Sequence, residues 1–300
     1  MRIAALLGVK DEVELIDRVI AHLRAIGVDH ITAYDMKSVD GTREILASHQ
    51  SDAFRVIDVD DGEAISPDAW SRLEMELIGA VEADWFIFLD ADEFWIPASG
   101  SLKECASLQS ADVLMVDRFN VPLGPDGPVV PERLQPRDYD RLLLFVDPVP
   151  DFRVHLEEHP ETPWIRGVPM PKVMARPERI QALSIGQHDL VTDLPVRRVI
   201  PDDLIIAHLP FTTAGRFWGK VENLRRTFQV HDEFFTGHMA WHWRRWLALD
   251  GRRGAEEEFS RQALDEARIF ALRQSGAIRS AADVFLQRSA GPPGRTDPPC

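Results

Sequence analysis

Asp90 and Asp92, one alanine apart and followed directly by Glu93, end the apolar run WFIFL within the segment DWFIFLDADEFWIP at residues 84–97. On an extended backbone the two aspartates project to the same side, because side chains alternate along a strand. Carboxylates so close repel unless positive charge stands between them. A divalent cation with a preference for oxygen, Mn2+ or Mg2+, meets that need; such ions take one or two carboxylates and complete their shell with substrate phosphates. The plainer alternative is a solvated turn, or the cap of a following helix.

Two other polar clusters also follow apolar runs. Lys10-Asp11-Glu12 comes after Ile3–Val9, and Tyr34–Thr42 comes after a run that begins at Asp29. The pattern predicts strands over Ile3–Val9, Asp29–Tyr34, Phe54–Val59 and Trp85–Leu89. Between the first two, Val13, Ile16, Val19, Ile20, Leu23 and Ile26 recur at helical spacing, with Asp11 and Glu14 as the starting box and Gly27 as the stop. Asp40 is expected to cap a second helix. Ser66-Pro67 opens a third, whose Trp70, Leu73, Leu77 and Val81 share one face. Alternating strands and helices predict an α/β domain whose parallel strands are joined by right-handed crossovers. Ligands of such sheets bind beyond the carboxyl ends of the strands, where all three clusters fall.

Beyond residue 111 the signal loosens. Ala111–Val116 reads as a further strand, and prolines 122, 125, 128, 131 and 136 make residues 120–140 mostly loop, a place for a substrate or lid element. Lys172–Ala175 and Leu204–Ala207 are short strands. From Thr213 the pattern is helical, through Phe217, Val221, Leu224 and Phe228, then Trp241–Trp246, then Ala255–Arg273. The expected division is a catalytic domain over 1–210, a helical extension over 211–288 and a disordered tail over 289–300.

The formal charge of −15 argues against a nucleic-acid partner. Cys105 and Cys300 give neither a disulfide framework nor metal-ligand spacing. The run Ile3–Val9 is too short for a membrane span or a signal-peptide core, so the chain is read as cytoplasmic, with room for peripheral contact at a membrane.

The succession VKDE (9–12), GVDHITAYDMKSVDGTREIL (27–46) and ADWFIFLDADEFWIP (83–97) resembles family 2-type glycosyltransferases of the GT-A fold. The likeness is to the group with motifs near YDNxSxDGT and DWxxFLDxDEF, and it continues more weakly through 166–178, GQHD (186–189) and IIAHLPFTTAGRFWGKV (205–221). It implies a Rossmann-like open mixed sheet with C-terminal helices. Asp92 would resemble the metal-binding aspartate of the DxD motif, and Asp90 would contact ribose or metal. Val9, Lys10, Asp11 and Glu12 would lie along the nucleotide, with Asp35 facing its base or ribose. Where many relatives carry a second aspartate that pairs with uracil, this chain has Met36; UDP remains the commonest donor nucleotide. His188 is a candidate third metal ligand, because GT-A enzymes often supply a late histidine. His208 reads as core, or as support behind other ligands.

Lys172 and Arg176 bracket a strand that could bring positive charge to a diphosphate. Arg118 stands where a sugar or acceptor contact, or a structural ion pair, would fit. Glu93 could touch metal, acceptor or a neighbouring backbone. An inverting transferase needs a base within reach of the acceptor hydroxyl; Asp189, Glu157, Glu158 and Asp117 are candidates, with Glu93 behind them. Trp241, Trp243 and Trp246 read as helix packing ahead of an acceptor platform. The expected activity is metal-dependent transfer of a sugar from a nucleotide-sugar donor to an acceptor. Two alternatives are a sugar-1-phosphate nucleotidyltransferase, whose glycine-rich first loop is missing here, and a non-catalytic nucleotide-sugar-binding protein.

Overall fold

The computed structural model describes residues 1–59, 66–147, 149, 151–231 and 241–291. Most of the expected tail, with Cys300, lies outside the described residues.

Seven strands form the main sheet: β1 (Ile3–Val9), β2 (His30–Asp35), β3 (Phe54–Asp58), β4 (Trp85–Asp90), β6 (Val113–Val116), β9 (Lys172–Ala175) and β10 (Arg198–Val199). Their order is β10-β6-β9-β4-β1-β2-β3. The four strands β3, β2, β1 and β4 run parallel, and β9 runs antiparallel between β4 and β6. This is the open mixed α/β sheet expected. Both faces are covered, which is why the strands read as continuous apolar runs. Along β1, Ile3, Ala5 and Leu7 join one core with α1 (Ile16–Ala25), while Ala4 and Leu6 join a second beneath α3 (Pro67–Gly79). Between β2 and β3 runs the short helix α2 (Thr42–Ser48).

A second sheet was not anticipated. Directly after β4 the chain turns at Ala91-Asp92 into β5 (Glu93–Pro97), which pairs with β11 (Leu204–His208), itself paired with β7 (Arg118–Asn120). Its register sets Glu93 opposite His208 and His208 opposite Asn120. The apolar stretch after Glu93 is therefore a second buried strand. A further short pair joins β8 (Leu143–Phe145) to β12 (Ile278–Ser280).

After the short helix α4 (Phe152–Glu158), the later helices are α5 (Ala214–His231), α6 (Trp241–Leu247), α7 (Gly251–Gln262), α8 (Glu266–Gln274) and α9 (Ala281–Ser289). The helix expected over 255–273 is two, broken at Ala263–Asp265, where Asp265 caps α8 by accepting from the Arg268 amide. Packing crosses residue 210 in both directions. Phe217, Val221 and Trp246 share a core with Leu123, Phe145 and Ile165, and Val284 and Phe285 of α9 enter the core of the main sheet.

The first helix starts later than the sequence pattern predicts, at Ile16, with Leu15 at its cap position and no side-chain cap bond. Asp11 sits at φ 53° and its carboxylate accepts from the Val39 amide at 2.7 Å and from Asn223 at 2.9 Å. It ties two strand-end loops to α5 instead of capping α1. Ser66 does cap α3, accepting from the Ala69 amide at 3.2 Å.

Candidate active site

Register brings the carboxyl ends of four parallel strands together: Gly8 pairs with Asp90, Val9 with Asp35, and Asp35 with Asp58. The turn at Ala91-Asp92 ends the extended backbone, so the two aspartates do not project alike. The Asp90 side chain is 52% exposed, whereas that of Asp92 is 4% exposed. Each faces its own group of cations.

Asp92 Oδ2 accepts from Arg216 Nη2 and from Lys220 Nζ, both at 3.0 Å. The two cations are four residues apart on α5, hence on one helix face. Arg216 also holds Glu12 through two bonds, Nε to Oε2 at 2.7 Å and Nη2 to Oε1 at 2.8 Å. The start of α5 is anchored to the same loop, with Thr212 and Thr213 donating to Glu14 at 2.6 and 2.5 Å. Burial alone would raise the Asp92 carboxyl; Lys220, His208 and Arg216, in that order, reverse this and hold it well below the ordinary range.

The other oxygen, Asp92 Oδ1, faces His208 Nε2 at 3.5 Å. The Nδ1 of that ring bonds to Asn120 Oδ1 at 2.7 Å. Burial pushes His208 down to about 4, so its ring is neutral at neutral pH. With its proton on Nδ1, the Nε2 lone pair faces a carboxylate oxygen, so two acceptors confront each other at 3.5 Å. No group of three or more His, Cys, Asp or Glu side chains able to hold a metal occurs among the described residues. Mg2+-type ions commonly take one or two carboxylates and complete their shell with phosphate oxygens and water; Asp92 supplies one such carboxylate, with a nitrogen donor beside it. The pair Asp92 and His208 fits such an ion.

On the other side, Lys172 is fully buried and donates to Asp90 Oδ2 at 2.9 Å, with Glu93 Oε1 at 3.7 Å. Arg118 pairs with Glu93, and Glu93 Oε2 accepts the Asp90 backbone amide at 3.1 Å. Glu93 thus braces the Asp90 backbone and joins two cations. Burial pushes it up to about 7 in spite of Lys172.

Behind Lys172 lies a buried polar series. Gln187 Oε1 is 3.4 Å from Lys172 Nζ, and its Nε2 reaches Tyr34 Oη at 3.0 Å and Glu74 Oε1 at 2.7 Å. Gly8 makes room for that hydroxyl, since a Cβ there would stand 2.6 Å from it. Burial drives Glu74 up to about 7. A carboxyl raised on folding adds stability below its unfolded value of 4.5 and loses it as pH rises to about 7, a difference of roughly 3 kcal/mol. Glu74→Gln should therefore outlast the parent chain in urea at pH 8 and match it near pH 4.5. Parallel unfolding curves at the two pH values check this.

The residues named from sequence divide accordingly. Val9 is buried at its strand end, and the Lys10 ammonium bonds to the carbonyls of Met36 and Lys37, the latter at 2.9 Å. Asp35 accepts the Ser38 amide at 3.1 Å through one oxygen and has the other buried without a partner. Asp90, Asp92 and His188 are not gathered as one ligand set. His188 bonds Pro171 O through Nδ1 at 2.9 Å, and its Nε2 lies 2.8 Å from where a Cβ on Gly186 would stand. Burial and the charge of Lys172 bring it down to about 4.

Of the candidate bases, Asp189 pairs with Arg198, Asp117 with Arg288 on α9 at 2.5 Å, and Glu157 with Arg153 at 2.6 Å; Glu158 is exposed on the same short helix α4. Arg176 stacks over the Trp85 ring at 4.7 Å and bonds two backbone carbonyls, a structural role. Trp246 is buried against Phe211, Phe217 and Trp164, which is packing.

Arg216, Lys220, Asn120, Gln187 and Glu74 escaped sequence reasoning, and His208 reads there only as core or as support behind other ligands. One signal was available: Arg216 and Lys220 recur at i and i+4 in the helical stretch after Thr213.

No family model matches this chain, and no curated protein matches it. Solved structures do. The chain is similar to S. aureus TarS in complex with UDP, at 16% identity over 40% of this chain and 36% of that one, TM-score 0.33. It is similar to glucosyl-3-phosphoglycerate synthase from Mycobacterium tuberculosis in complex with Mn2+, UDP and glucosyl-3-phosphoglycerate, at 15% identity over 61% and 59%, TM-score 0.32. A third is mannosyl-3-phosphoglycerate synthase from Rubrobacter xylanophilus, at 15% identity over 60% and 55%, TM-score 0.34. In these three comparisons the chain spans less than two thirds of the matched chain. No helix among the described residues is long and apolar enough to cross a membrane.

Proposed function

We propose that the chain is a glycosyltransferase of the GT-A type that moves a sugar from a nucleoside diphosphate donor, with UDP as the expected nucleotide, to a hydroxyl acceptor. The carrying observation is the facing pair Asp92 and His208, flanked by Arg216 and Lys220, at the carboxyl ends of the parallel strands. Asp92 and His208 would hold Mn2+ or Mg2+. When bound, that ion stabilises the negative charge that gathers on the departing diphosphate.

The chain's own residues supply the rest. Lys220 is the more open of the two α5 cations, 32% exposed against 4% for Arg216, and can turn from Asp92 towards a phosphate oxygen. Arg216 stays braced between Glu12 and Asp92 and fixes both carboxylates. The buried unpartnered oxygen of Asp35 is an acceptor for a base or ribose donor. Asp90, half exposed and held by Lys172, is the carboxylate that opens towards the nucleotide. Inversion of the sugar is carried over from the family resemblance.

A melting-temperature screen of nucleoside diphosphates tests the reading, because a ligand that binds only the folded chain stabilises it. UDP with Mn2+ is expected to raise the midpoint by several degrees at about 100 times its dissociation constant, and UDP alone by less. If no nucleoside diphosphate of any base moves the midpoint, with or without Mn2+, the proposal fails.

A further inference from the structure

A series of hydrogen bonds runs from the helical extension to His208, whose ring faces the Asp92 carboxylate. Gln262, fully buried at the end of α7, donates to Glu258 Oε1 at 3.0 Å and accepts the Ile165 amide at 3.0 Å. The carbonyls of Ile165 and Gly167 accept from Asn120 Nδ2 at 3.0 and 2.7 Å. Asn120 Oδ1 then meets His208 Nδ1 at 2.7 Å, and His208 Nε2 faces Asp92 Oδ1.

The donor and acceptor roles in this series are forced. Both amide hydrogens of Asn120 go to carbonyls, which can only accept, so its oxygen must face His208. That oxygen cannot donate, so His208 must carry its proton on Nδ1. In the neutral ring Nε2 is then the nitrogen with the free lone pair, and it is the one turned towards Asp92. Without Asn120, either tautomer is open to the ring.

We propose that Asn120 is a positioning residue that fixes the His208 tautomer and so sets the divalent-cation affinity of the site. The inference rests on the cation reading of Asp92 and His208. It extends that reading by making the turn Trp164–Gly167, and Gln262 behind it, part of the cation site. Trp164 packs against His242 and Trp246 of α6, at 5.4 and 5.2 Å between ring centres, so the extension holds this turn by packing as well. Seating of the turn and uptake of the cation favour each other, as linkage requires.

The test uses Asn120→Leu, close in size and without polar atoms, and Gln262→Leu as the remote variant. Mn2+ uptake is followed by electron paramagnetic resonance in the presence of UDP, and the His208 tautomer by long-range 1H–15N correlation in metal-free protein. In the parent chain His208 should carry its proton on Nδ1. Asn120→Leu should mix the tautomers and lower Mn2+ affinity about 10- to 100-fold, the usual effect of losing a partner behind a metal ligand. Gln262→Leu should shift both readouts the same way by less, and decides the matter if Asn120→Leu does not fold. Unchanged Mn2+ affinity in the folded variants, or a parent His208 protonated on Nε2, overturns the proposal. A parent chain that takes up no Mn2+ with UDP overturns the cation reading instead, and the tautomer measurement still decides the role of Asn120.

Discussion

Asp92→Ala should lose roughly 3–5 kcal/mol of folding stability and all Mn2+-dependent nucleotide binding. The carboxylate is 4% exposed and is met by Arg216, Lys220 and His208. Truncation leaves Arg216, 4% exposed, with Glu12 as its remaining carboxylate, and breaking one partner out of a buried charge group is what makes such changes costly. Asp92→Asn separates the two effects. The amide keeps an oxygen for Lys220 and Arg216 but loses the charge, so stability should fall by less while Mn2+-dependent binding is lost as before. Urea unfolding measures the first quantity, and calorimetric titration of UDP with Mn2+ the second. Equal losses of stability in the two variants would contradict the charge argument.

Lys172→Met should destabilise the chain in a pH-dependent way. The ammonium is fully buried beside Asp90 and Glu93. Glu93 already titrates near 7 because burial outweighs the pull of Lys172, so removing that cation raises it further. A carboxyl raised in the folded state contributes stability that is lost as pH rises through its folded value. The variant should therefore be about 3 kcal/mol less stable than the parent at pH 8, with a smaller deficit at pH 5.5. Adding Glu93→Gln should recover much of the loss at pH 8, since the charge left uncompensated is then gone. Unfolding midpoints of the parent, the single and the double variant at both pH values supply the comparison. A deficit independent of pH would show that Lys172 serves packing alone.

Much of the first ninety residues could be read directly, because strands covered on both faces leave long apolar runs and the helices between them repeat at their own period. The acids at the strand ends were equally visible. Their counter-ions were not: Lys172 lies 82 residues from Asp90, and Arg216 lies 124 from Asp92. Nothing local in LDADEF marks which cation each aspartate meets. The same turn misled the geometric expectation, since alternation of side chains holds only while the backbone stays extended, and here it bends at Ala91-Asp92 into a second sheet. That sheet also accounts for His208. A histidine in IIAHLP reads as core or as support behind other ligands; its strand pairs with β5 and β7, which sets it between Glu93 and Asn120 and beside Asp92. The Asp11 cap failed for a related reason, because its carboxylate finds the Val39 amide and Asn223 from distant parts of the chain.

On the proposed reading, Asp92 and His208 together receive a divalent cation when a nucleoside diphosphate is bound. The most direct measurement is Mn2+ binding by electron paramagnetic resonance, with and without UDP, in the parent chain and in His208→Ala. One Mn2+ per chain, taken up tightly only with UDP and lost in His208→Ala while that variant remains folded, is the predicted result. Mn2+ bound equally well after loss of His208, or no UDP-dependent Mn2+ uptake by the parent chain, would contradict it.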